Sequence, residues 1–98
     1  MKNRELELGQ VVISKKGKDK GQYFIVTGFD EKTGRVQISN GRKYGLRTPK
    51  MKNRLHLQSV NCILPEIRSD VGKSRDQQTR QLDFLISRLL ENLSTTRG

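Results

Sequence analysis

The sequence contains no tryptophan and no alanine, and only one cysteine, one histidine, two prolines and five aromatic residues among 98. Cys62 has no second cysteine to pair with, which excludes an internal disulfide and fits a reducing cytosol. With His56 as the one histidine, the usual zinc ligand sets are out of reach. The longest apolar run is four residues, Tyr23-Phe24-Ile25-Val26, far short of the roughly 20 a membrane-spanning helix needs, so no membrane contact is expected. The opening MKNRELELG lacks the apolar stretch of a secretory signal, and the expected location is the cytoplasm. Apolar residues make up 32% of the chain. That allows one small core and no large internal substrate cavity. His56 lies between Leu55 and Leu57 without an evident nucleophile to serve, Cys62 reads as a small buried apolar residue, and the carboxylates are scattered. No catalytic residue, metal or cofactor is expected, and the chain reads as a binding module rather than an enzyme.

What the sequence has in excess is positive charge: 20 Lys and Arg against 10 Asp and Glu, a net of +10. A fold needs no such imbalance; it points to a polyanionic partner. The charge is uneven. Residues 1–60 hold 14 basic and 5 acidic residues, a net of +9, whereas residues 61–98 hold 6 and 5, a net of +1. Seven of the nine glycines also lie in the first part. The division expected is a basic β-rich module at 1–62, a linker at 63–74 with a hinge near Gly72, and a helix at 75–94.

Strands are expected at Gly9–Ser14, at Tyr23–Phe29, and at Arg35–Ser39, where strict alternation puts Val36 and Ile38 on one face. Asp30-Glu31-Lys32-Thr33-Gly34 supplies a hairpin loop, and Asn40-Gly41 is a strong two-residue turn signal. A fourth strand then follows from Arg42 to Thr48, stopped by Pro49, and a fifth runs from Arg54 to Val60 with Leu55 and Leu57 facing one way. Five short strands with tight turns suggest a mainly β fold, a small antiparallel barrel. In the tail, Leu82, Leu85, Ile86, Leu89 and Leu93 recur at helical spacing, which predicts an amphipathic helix from about Arg75, capped by Ser74 with Gln77.

The run Gly9-Gln10-Val11-Val12, followed by a basic loop closing on Lys20-Gly21 and then the apolar strand Gln22-Tyr23-Phe24-Ile25-Val26, resembles the KOW motif. The continuation Asn40-Gly41-Arg42-Lys43, Pro49-Lys50-Met51-Lys52-Asn53 and His56-Leu57 is similar to bacterial KOW-domain RNA-binding proteins related to large-subunit ribosomal proteins of the L14e/L6e/L27e kind. The resemblance covers about residues 8–60 and leaves the leucine-rich tail outside. It implies an SH3-like barrel, contact with RNA (ribosomal RNA above all), and the motif's hallmark glycine at Gly21.

Two basic segments are the candidate RNA-binding sites. Lys15, Lys16, Lys18 and Lys20, with Gly21 allowing close approach, would neutralise phosphates as mobile point charges; the plainer reading is a solvated hairpin. Arg42, Lys43, Arg47, Lys50, Lys52 and Arg54 form the second segment. Its arginines suit paired hydrogen bonds to phosphate and stacking on bases, and the plainer reading is an edge strand protected by charge. Tyr44, amid these charges, is the stacking candidate, with Tyr23 the other tyrosine. The stripe Leu82, Leu85, Ile86, Leu89 and Leu93 either covers the barrel's open end or serves as a surface for a protein partner or self-association. The function expected is docking of basic loops on a structured RNA. The rivals are a transcription-linked KOW module that binds a polymerase or elongation factor, and a general nucleic-acid binder.

Overall fold

The alternating segments form strands, and the leucine-rich tail forms a helix. The computed structural model describes residues 6–65, 67 and 76–95. Its strands are β1 (Gln10–Ser14), β2 (Tyr23–Asp30), β3 (Arg35–Ser39), β4 (Lys50–Asn53) and β5 (Leu57–Ile63), with a 3-10 turn at Arg54–His56 and a helix α1 at Asp76–Thr95. All neighbouring strands are antiparallel, in one sheet of order β4-β3-β2-β1-β5. The fold is therefore mainly β with a C-terminal helix. No ladder joins β4 to β5 among the described residues, so the hydrogen bonding observed is that of a five-stranded sheet.

Period-two alternation builds two cores, one on each face of this sheet. Val12, Phe24, Val26, Val36, Ile38 and Leu57 form one cluster. Val11 and Ile25, pointing the other way, meet Ile67, Leu82, Ile86 and Leu90. The helix thus buries residues spaced by four along one stripe, and each such side chain stabilises the fold by about 1.5–3 kcal/mol. Of the linker expected at 63–74, Ile63 belongs to β5, Leu64 donates its N–H to the Gly9 carbonyl at 2.8 Å, and Ile67 is fully buried under the helix. The hinge near Gly72 and the cap at Ser74 lie outside the described residues.

The expected fourth strand, Arg42–Thr48, is replaced by a loop, and β4 begins only after Pro49. Asn40 does not sit in a two-residue turn. Its Oδ1 accepts from the N–H groups of Arg42 and Tyr44, each at 3.0 Å, which holds the segment as a compact loop. That loop lies on α1. The Leu46 N–H donates to Asp83 Oδ1 at 3.0 Å, and Gly41 (φ +78°) packs so closely that an added Cβ would overlap the Asp83 carbonyl. Gly41→Ala should therefore lower the unfolding free energy by roughly 2–4 kcal/mol, through left-handed strain plus displacement of the helix. Urea titration followed by circular dichroism checks this, and an unchanged midpoint refutes the docking account.

The fifth strand also begins later than Arg54. Asn53 Oδ1 accepts from the Leu55 N–H at 2.9 Å and caps the 3-10 turn. Leu55, expected to share a face with Leu57, is consequently 78% exposed, whereas Leu57 is buried.

Candidate nucleic-acid interface

Ser14 ends β1, and the chain returns to β2 through a tightly hydrogen-bonded loop. The Ser14 N–H donates to the Gln22 carbonyl at 3.0 Å and the Gly21 N–H to the Ser14 carbonyl at 2.8 Å; the Lys20 N–H reaches the Gly17 carbonyl and the Gln22 N–H the Asp19 carbonyl. Lys15, Lys16, Lys18 and Lys20 are all exposed, while Asp19 between them is turned inward and only 8% exposed. Gly21 has φ +88°. An added Cβ there meets nothing within 4 Å. The backbone angle, rather than crowding within the chain, is what calls for glycine at this point.

Asp19 organises the loop. Its Oδ1 accepts from Ser14 Oγ and from Lys52 Nζ, both at 2.9 Å, and Lys50 Nζ lies 3.6 Å from Oδ2. Lys52 Nζ also donates to the Lys16 carbonyl at 2.9 Å, and Ser14 Oγ to the same carbonyl at 3.0 Å. Burial pushes the Asp19 carboxyl up, but the hydrogen bonds from Lys52 and Ser14 and the charges of Lys52 and Lys50 outweigh it and hold the group below its ordinary value.

The sheet register explains how two lysines reach an inward carboxylate. Val36 faces Lys52 and Ile38 faces Lys50 across the β3–β4 ladder. Directly opposed residues share a face, so both lysines lie on the side of the Val36–Ile38 core. Lys50 and Lys52, both expected to contact RNA, are thus already engaged inside the chain. Lys52, with its side chain 11% exposed, is an internal counter-ion, and Lys50 is partly so. Asp19 itself is not among the residues the sequence pattern singles out; its signal is that it is the one acid within 15–20.

Tyr44 is half-buried. Its ring lies 6.3 Å from that of Phe24, with Lys50 Nζ 5.0 Å and Lys43 Nζ 5.5 Å from its centroid. Those neighbours leave it a poor open platform for a base. Arg42 is exposed, pairs with Glu91 of the helix at 3.5 Å, and borders a groove that also contains Gly21, which brings it beside the first basic loop. Arg47 is exposed in the turn before β4. Arg54 is not gathered with the others: it lines a separate cleft with Phe29, Asp30, Glu31 and Arg35, by the β2–β3 turn. Asp83, under the Arg42 loop, is pushed up by burial, against which the Leu46 N–H acts in part.

The apolar stripe divides. Leu82 and Ile86 are used by the chain's own core, and Leu89 and Leu93 are half-buried against it. Of the five positions considered for a partner only Leu85 stays exposed; next to it Phe84 is 59% exposed with the Arg88 guanidinium 5.7 Å from its ring centre. His56 is half-buried, and its carbonyl accepts from the Lys15 N–H at 2.8 Å. Cys62 is likewise half-buried, packed at the edge of the helix-facing core. Among the described residues, no three His, Cys, Asp or Glu are grouped to hold a metal ion, and no helix is long and apolar enough to cross a membrane.

No protein-family model matches the chain, and a search of curated proteins finds no match.

Proposed function

We propose that the chain is an RNA-binding protein that docks its Lys15–Lys20 loop on the phosphates of a structured RNA. One observation carries this reading. Four exposed lysines are held on a loop that is stapled from within by the Asp19–Ser14–Lys52 network. A preformed cationic loop loses little conformational freedom on binding, and each phosphate neutralised releases counterions. The aromatic content is low, and the tyrosine nearest the second basic segment is covered by lysines. Recognition of backbone shape suits such a surface better than a sheet that stacks several bases. The KOW resemblance favours ribosomal RNA as the target, with the protein acting beside or within the ribosome, and the single Cys62 suits a cytoplasmic setting.

A second reading, a transcription-linked module that binds a protein, is favoured by exposed Phe84 and Leu85 on α1. The two separate in a salt titration against folded ribosomal RNA fragments, single-stranded RNA and duplex DNA. The RNA reading expects a log–log slope of about −3 or steeper and a clear preference for folded RNA. Equal affinity for all three indicates a general nucleic-acid binder. Weak binding to every nucleic acid, with capture of a polymerase or elongation factor that Leu85→Glu abolishes, would favour the protein-binding reading.

A further inference from the structure

Beside the basic loop lies a groove of about 320 Å³, lined by Gly21, Gln22, Tyr23, Asn40 and Arg42 and by Ser87, Leu90 and Glu91 of α1. We infer that this groove is a subsite for one unpaired nucleotide of the bound RNA, its base placed between the Tyr23 ring and the Arg42 guanidinium. The inference rests on the RNA-binding reading and adds a base-reading subsite to a surface otherwise suited only to phosphates.

Four observations carry it. First, the groove continues directly from Lys20 along the chain, so a strand whose phosphate meets Lys20 brings its neighbouring nucleotide to Gly21. The glycine leaves the entrance open, since even a Cβ there would touch nothing. Second, the volume lies at the lower end of the roughly 300–1,000 Å³ of small-molecule sites, which suits one base. Third, the chemistry is that of a base and not of a phosphate. Tyr23 offers a ring, Gln22 an amide, Asn40 its amide NH2 (its Oδ1 already accepts from Arg42 and Tyr44), and the Glu91 carboxylate repels an anion while accepting from base N–H groups. Fourth, the walls are already fixed. Tyr23 packs against the helix-facing core, and the Arg42 loop is held to α1 through Leu46 and Asp83. The Arg42–Glu91 pair is exposed on both sides. Such a pair is weak enough to exchange for a stacked base.

The test uses the full chain and three short RNA hairpins that are identical except at one position: a fully paired stem, a stem with one bulged adenosine, and a stem with an abasic nucleotide at the bulge. Wild type is expected to bind the bulged adenosine about tenfold tighter than the paired or abasic stems, as stacking of a single base allows. Tyr23→Leu, which keeps an apolar group against the core, and Arg42→Gln, on the surface, should each bring that ratio close to one. Circular dichroism and thermal midpoints confirm that both variants fold. Equal wild-type binding to all three hairpins overturns the subsite and leaves the phosphate-docking reading standing. Tight binding to the abasic bulge also overturns it, since the groove would then read backbone shape. So does a ratio that persists in both variants. Failure to bind any hairpin overturns the subsite together with the RNA-binding reading.

Discussion

Asp19→Ala should destabilise the fold by about 3 kcal/mol, the loss typical when one partner of a buried pair is removed. The reason lies in what stays behind. Lys52 keeps a nearly buried ammonium whose remaining partner is the Lys16 carbonyl, and the single Ser14 hydroxyl proton is left with that same carbonyl as its acceptor. Replacing both members, Asp19→Ala with Lys52→Met, should recover much of the loss, because an apolar pair leaves no orphaned charge; a coupling energy of about 1–3 kcal/mol is expected from the cycle. Additive single losses would show that the two side chains do not act as a pair. Acid should weaken the same staple. A carboxylate held below its ordinary value contributes stability that is complete above the unfolded value, 3.8, and disappears as pH falls through the lower folded value. Asp83 has the opposite sign: its raised value favours the protonated folded form, so acidification toward its ordinary value adds stability. Urea midpoints measured down the pH scale should therefore hold or rise at weakly acid pH and then collapse. Asp83→Asn should remove the first part, and Asp19→Asn should remove the second.

The contrast between β3 and β4 shows what a sequence pattern can reveal. Val36 and Ile38 announce β3 because its buried positions are apolar and its exposed ones polar. β4 obeys the same alternation, yet the side chains on its inner face are Lys50 and Lys52, which a hydrophobic pattern cannot register as inward. Their burial depends on Asp19, more than 30 residues earlier in the chain. The Asn40-Gly41 signal fails for a similar reason. Positive φ at Gly41 is real, but α1 packs on the loop and the Asn40 side chain holds it, so the local preference serves a non-local contact. The helix itself was legible from Leu82, Leu85, Ile86, Leu89 and Leu93, since recurrence at three and four residues on one face is a local property. That Leu85 alone of the stripe remained exposed was not legible, because it depends on which side chains meet the sheet. At the candidate interface the exposed lysines were legible from charge and glycine spacing. The division of the second segment between an internal ion pair, a groove wall at Arg42 and a distant Arg54 was not, because it follows from strand register.

Replacing Lys15, Lys16, Lys18 and Lys20 together by Gln is expected to reduce affinity for a folded RNA roughly hundredfold or more near 0.1 M salt, and to make the salt slope shallower by about 3, at roughly 0.7–0.9 for each phosphate that is no longer neutralised. The change lowers the net charge from +10 while sparing the fold. The loop is held by Asp19, Ser14, Lys52 and backbone hydrogen bonds, and the four ammonium groups form no ion pair with the described residues. Less self-repulsion should even leave the thermal midpoint level or slightly higher. Arg54→Gln is the matched control, because that arginine lies by the β2–β3 turn, in a cleft of its own; its slope should match wild type, whereas loss of one phosphate contact would make it shallower by about 0.7–0.9. If the fourfold variant keeps the wild-type slope, the loop is not the docking surface, and the charge that matters lies on the second segment. If Arg54→Gln alone flattens the slope, RNA approaches from the other end of the sheet. A fourfold variant that folds, loses the slope and keeps Asp19 paired with Lys52 separates the two roles of the lysines in this chain: those inside hold the loop in place, and those outside meet the phosphates.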